Sequence, residues 1–105
     1  MKNIYLHNKE TFKQIFSDFY IPLCLFSERY LNDKEESADV AQNTLIKLWQ
    51  KRKDFENYHQ IKKFLYTTAR NQCLNVLEHK RVVEDYSRFL KEKEREKNDF
   101  FSDHV

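Results

Sequence analysis

The chain has 105 residues, no glycine, one proline, 34% charged residues and a net charge of +2, a length that allows one domain with a buried core but not two. Without glycine there is no P-loop and no dinucleotide fingerprint, positive-φ turns are scarce, and the chain reads as nearly all helix. No apolar run approaches the ~20 residues of a membrane span and no signal peptide opens the chain. Cys24 and Cys73 lack CxxC spacing, so the reading is a reduced, cytoplasmic protein without membrane insertion.

Residues 1–8 read as a flexible N-terminal arm. From Lys9 to Tyr20, Phe12, Ile15, Phe16 and Phe19 recur at helical spacing. Pro22 lacks the amide hydrogen a continuing helix uses, which predicts a kink or restart there. Leu23, Phe26, Tyr30 and Leu31 carry the stripe onward. Asp33, with Glu36 three residues later, is a capping-box signature. The helix it opens is expected to bury Ala38, Ala41, Leu45, Leu48 and Trp49. Residues 53–59 have no consistent period and are rich in turn formers. A further helix is expected from about Gln60 to His79. At about 100° per residue, Ile61, Phe64, Leu65, Thr68, Ala69, Cys73 and Val76 share one arc. Lys63, Tyr66, Thr67, Arg70 and Asn71 are read onto the opposite one. Residues 82–105 read as a charge-dense helical extension that then loses order, with a weak stripe of Val83, Tyr86, Phe89 and Leu90. The fold class is all-α: a compact bundle of three to four helices with a charged helical C-terminal extension.

Charge is distributed unevenly. Residues 47–81 hold nine Lys/Arg against three Asp/Glu, whereas 1–46 and 82–105 each hold five against seven. A basic centre between acidic flanks fits a polyanion on one surface and a different partner on another, or else an ordinary solvated helix surface. The four histidines (His7, His59, His79, His104) show no metal-ligand spacing. No Ser/His/Asp or Cys/His constellation stands out, so neither an enzyme nor a cofactor is expected. The third helix offers cations for phosphates, and Asn, Thr and Tyr for base edges or stacking. Phe55, Tyr58, Phe64 and Tyr66 beside a basic connector suit unstacked bases; for Phe64 a core position is the other reading. Asp39, Gln42, Asn43 and Ile46 form an exposed or half-exposed strip suited to a basic helical partner, although Asp39 also complements the helix dipole.

The segment 37–49, SADVAQNTLIKLW, resembles the core-polymerase-binding helix of bacterial sigma factors of the extracytoplasmic-function (ECF) type. Asp39, Gln42, Leu48 and Trp49 match that pattern, while Ala38 and Asn43 replace acidic residues and Leu45 replaces a phenylalanine. The segment 64–81, FLYTTARNQCLNVLEHKR, resembles the family's promoter-melting and −10-reading helix. There Phe64 stands for the frequent tryptophan and Asn75 for an aspartate, with Leu65, Tyr66, Ala69, Arg70, Asn71 and Leu74 matching. The resemblance covers about residues 9–82 and implies a region 2 domain of the sigma-70 family, with 83–105 as the start of an interdomain linker and the second, helix-turn-helix domain absent.

The resemblance further implies docking on the polymerase β′ clamp helices through Asp39, Gln42, Asn43, Ile46 and Trp49. DNA binding is implied for Lys51, Arg52, Lys53, Lys62, Lys63, Phe64, Tyr66, Thr67, Arg70, Asn71, Lys80 and Arg81. A pocket for a flipped −10 base of the non-template strand would be built by Asp54, Phe55, Glu56, Asn57, Tyr58 and His59. An anti-sigma factor is a further candidate partner. The alternative is a helical adaptor or decoy that binds polymerase or an anti-sigma factor without reading DNA.

Overall fold

The computed structural model describes residues 8–103, in which three α-helices follow one another: α1 (Lys9–Leu31), α2 (Lys34–Gln50) and α3 (Tyr58–Asp103). A single 3-10 turn, Arg52–Asp54, lies between α2 and α3, and no strand occurs among the described residues. Most of the expected N-terminal arm, residues 1–7, lies outside the described residues, as do 104 and 105.

Local chemistry sets the helix ends. Asn8 Oδ1 accepts the Glu10 amide at 2.9 Å and opens α1. Asn32 closes it in the left-handed region, φ 50° and ψ 39°, donating its own amide to the Glu28 carbonyl at 2.8 Å. In a chain without glycine this position falls to asparagine, whose short amide tolerates it. Asp33 then caps α2: its Oδ1 accepts the Glu36 amide at 3.0 Å, and its carbonyl accepts the Ser37 hydroxyl at 2.6 Å. So short a turn folds α2 back against α1 as an αα-hairpin. Of the two outcomes expected at Pro22, a kink or a restart, the restart does not occur: α1 runs from Lys9 to Leu31 with Pro22 inside it. Pro22 and Asp18, whose carbonyl loses its partner, are both exposed, so water can take the place of the missing N–H.

The core is built from Ile15, Phe19, Leu23 and Leu31 of α1, Val40, Ala41, Leu45 and Leu48 of α2, and Ile61, Leu65, Ala69 and Cys73 of α3. Ala38 and Trp49, expected inside, are half-buried, and Ser37, Val40 and Thr44 are buried instead. The inner stripe of α2 is rotated from the expected one, because two of its members are polar and gave no apolar signal. The Ser27 and Thr44 hydroxyls are buried without a partner among the described residues. The Cys73 thiol donates to the Ser27 carbonyl at 3.9 Å, tying α3 to α1.

Helix α3 starts earlier than expected. Asn57 Oδ1 accepts the Gln60 amide at 2.9 Å, while Gln60 Oε1 accepts the Glu56 amide at 2.8 Å. This reciprocal cap fixes the first turn at Tyr58. The helix also persists to Asp103, where the sequence suggested a loss of order. Two compact units are distinguished, ending and beginning at Asn75 and Val76. In the second, every side chain from 77 to 99 is exposed. Glu78–Arg81 (2.7 Å) and Asp85–Arg88 (3.4 Å) ion pairs line it at i,i+3 spacing.

Candidate functional site

Four side chains on α2 share one outward column. Asp39, Gln42 and Asn43 are exposed, and Ile46 is 46% exposed. Their spacing places them on the face opposite the buried Ala41, Leu45 and Leu48. Trp49 closes the column but is held in place on two sides. Its ring centroid lies 4.8 Å from that of Phe12 on α1, and the Arg52 guanidinium sits 4.2 Å from the indole centroid. Arg52 Nη1 also donates to the Trp49 carbonyl at 2.9 Å, capping the end of α2. Arg52, expected to meet phosphate, is therefore engaged with the end of α2. Beside it an open apolar cleft of about 190 Å³ is lined by Lys9, Phe12, Lys13 and Trp49. The Phe12 contact had no sequence signal, since spacing along one helix says nothing of which ring a second helix will meet.

On α3, Lys62, Lys63, Thr67, Arg70 and Asn71 are exposed. Tyr66 is not on that face. It is half-buried, with its ring edge-on to Phe26 (5.0 Å, 88°) and 6.5 Å from Phe19. At about 100° per residue Tyr66 falls roughly 20° from Cys73, at the edge of the apolar arc and not opposite it. The two α1 aromatics then draw it inward. Phe64 occupies the other edge of that arc and is also half-buried. It lies 5.1 Å from Phe55 in an edge-on pair, with the Lys51 ammonium 5.8 Å from its centroid. Phe64 is thus a shelf, part wall and part surface. Thr67 and Asn71 continue its column along the helix, at i+3 and i+7.

The six connector residues expected to form a base pocket do not share one set of neighbours. Asp54, Glu56 and His59 are exposed, and Phe55 leans on Phe64. The Asn57 side chain is committed to the α3 cap. Tyr58 packs 5.5 Å from Phe19, and burial, with smaller contributions from Asp18 and Tyr66, raises its phenol above the usual value. An open cleft of about 340 Å³ lies alongside, lined by Gln50, Lys51, Arg52, Lys53 and Asp54. Lys51 and Lys53 are exposed there. Lys80 and Arg81 belong to the second unit, where Arg81 grips Glu78 with two contacts, 2.7 and 3.3 Å. That grip holds the Glu78 carboxyl below its ordinary range, through the hydrogen bond first and then the charge.

Among the described residues no group of three or more His, Cys, Asp or Glu could hold a metal ion, and no helix is long and apolar enough to cross a membrane. What the first unit presents is two contrasting surfaces, one polar with an exposed isoleucine and one cationic with an aromatic shelf. The family model for sigma-70 region 2 matches residues 16–83, about two thirds of the chain. No curated protein and no solved structure gives a match.

Proposed function

Since the chain belongs to the sigma-70 region 2 family, a family of transcription-factor domains and not of enzymes, we propose that it is an ECF-type domain. In this reading it binds core RNA polymerase through α2 and reads the promoter −10 element through α3 and the connector. One observation carries the reading: the two surfaces of the first unit are chemically distinct. The α2 column holds a carboxylate, two amides and an isoleucine. The α3 face holds Lys62, Lys63 and Arg70, and the sequence has no acidic residue between Glu56 and Glu78.

On the polymerase side, Asp39 pairs with a basic residue of the β′ clamp helices. Gln42 and Asn43 donate and accept hydrogen bonds, and Ile46 loses its exposed surface to the partner. Trp49 sets the position of the helix end through Phe12 and Arg52. On the DNA side, Lys51, Lys53, Lys62, Lys63 and Arg70 neutralise phosphates. An extruded base of the non-template strand stacks on the Phe64–Phe55 shelf, and Asn71 and Thr67 reach its edge. Base–aromatic stacking is worth about 1–3 kcal/mol per base, enough to offset the few kcal/mol of unstacking. Melting is therefore driven by binding and no nucleotide is hydrolysed. Tyr66 is a positioning residue that braces α3 on α1. An anti-sigma factor would act by covering either surface.

The test is a labelled non-template −10 oligonucleotide titrated with the full chain, read by anisotropy at several salt concentrations. Five cations on single-stranded DNA predict a log K against log salt slope of about −3.5. Arg70→Ala/Asn71→Ala should lose the DNA and keep the β′ clamp-helix fragment, and Asp39→Ala/Gln42→Ala the reverse. A flat salt slope would refute the phosphate assignment. DNA binding indifferent to Arg70 and Asn71 would favour the adaptor reading.

A further inference from the structure

We propose that the chain self-associates through residues 82–90 of α3, pairing that segment with the same segment of a second copy. The observation is an uncovered stripe: Val82, Val83, Tyr86, Phe89 and Leu90 are each between 47% and 61% exposed. Val83, Tyr86 and Leu90 follow the alternating three- and four-residue spacing of a coiled-coil seam, and Val82 and Phe89 widen it along one edge. The opposite arc is charged throughout, with Arg81, Glu84, Arg88, Lys91, Glu92 and Arg95. A helix this amphipathic draws most of its stability from packing the apolar face.

Two features point to a second copy as the occupant. The first is charge. Residues 76–103 hold seven Lys/Arg against eight Asp/Glu with the signs interleaved. A polyanion finds no cationic face in such a segment, and an identical segment meets little net repulsion. The second is area. Five large side chains at these exposures leave on the order of 500 Å² of apolar surface per chain, so pairing two stripes covers roughly 1,000 Å², the size at which a specific interface begins. The Lys93 ammonium, 5.6 Å from the Phe89 ring, marks the rim of the stripe.

Sedimentation equilibrium of the full chain from about 1 to about 200 μM, a range spanning moderate affinities, tests this directly. The expected mass rises with concentration from the 13.0 kDa of the monomer to twice that value. Tyr86→Glu/Leu90→Glu, at exposed positions, should weaken association at least about tenfold by burying charge in the seam. Arg88→Glu on the opposite arc should leave it unchanged. Circular dichroism and Trp49 emission show that each variant is folded. A wild-type chain that stays monomeric throughout overturns the proposal, as does a dimer that survives the Tyr86/Leu90 substitution. Neither result bears on the reading of residues 8–75 as a polymerase- and DNA-binding unit.

Discussion

Tyr66 separates a structural role from a DNA-binding one, and its replacement can be worked through in numbers. The ring meets Phe26 at 5.0 Å and Phe19 at 6.5 Å, both edge-on. Each such pair contributes about 0.5–1.5 kcal/mol beyond simple burial. With the loss of the half-buried ring itself, Tyr66→Ala should cost about 2–3 kcal/mol. For a chain of this size the urea m-value is about 1 kcal/mol/M, so the unfolding midpoint should fall by about 2–3 M. Trp49 is the only tryptophan, and its contact with Phe12 makes its emission a reporter of α1–α2 packing. Tyr66→Phe keeps both ring contacts and should move the midpoint by less than about 0.5 M. Arg70→Ala, on the exposed face, should behave like Tyr66→Phe in stability while losing DNA. An unchanged midpoint in Tyr66→Ala accompanied by lost DNA binding would refute the argument and return Tyr66 to the melting surface.

Two further predictions concern the core. Thr44→Val replaces a buried hydroxyl that has no partner by a methyl of the same shape. It should raise stability by about 1 kcal/mol, seen as a Tm higher by about 4–8 °C in a thermal melt. Burial raises the Cys73 thiol above its ordinary 9.0. The unfolded chain therefore releases that proton first. Stability should be level below the ordinary thiol value and fall as pH rises through the folded one. In Cys73→Ala the alkaline fall should begin later, nearer the ordinary phenol value of 10.0, where the raised Tyr58 takes over. An identical alkaline profile in wild type and Cys73→Ala would contradict this.

Much of the fold was legible because local rules and tertiary packing agreed. Asp33 announces the start of α2 and caps it. Ile61, Leu65, Ala69 and Cys73 share an arc and are buried together. Where the sequence misled, a non-local or solvent term won. Pro22 stays within α1 because it and Asp18, whose carbonyl it orphans, lie on an exposed face. Thr44 is a core position that carries a hydroxyl, so an apolar pattern cannot reveal it. Tyr66 sits at the boundary of two arcs, and only the rings of Phe19 and Phe26 decide which side it joins. The start of α3 was available: Asn57 followed three residues later by Gln60 is the same kind of box as Asp33 and Glu36. Of the candidate site, the exposed faces of α2 and α3 could be read from spacing. The engagement of Arg52 could not, because its partners are a backbone carbonyl and the ring at the end of its own preceding helix.

Lys51 and Arg52 are joined by one peptide unit, yet they reach in different directions, the first over Phe64 and the second over Trp49. The main chain at the end of α2 is thereby common to the α2 column and to the aromatic shelf. On the proposed assignment, a partner that shifts Trp49 would displace the 3-10 turn, and with it the cation beside Phe64. The two binding events then share a coupling free energy, and reciprocity fixes its form. Whatever factor polymerase adds to the affinity for single-stranded DNA, DNA must add to the affinity for polymerase. On that assignment the domain would hold promoter DNA weakly until it is seated, and would be released most readily once the strand has gone.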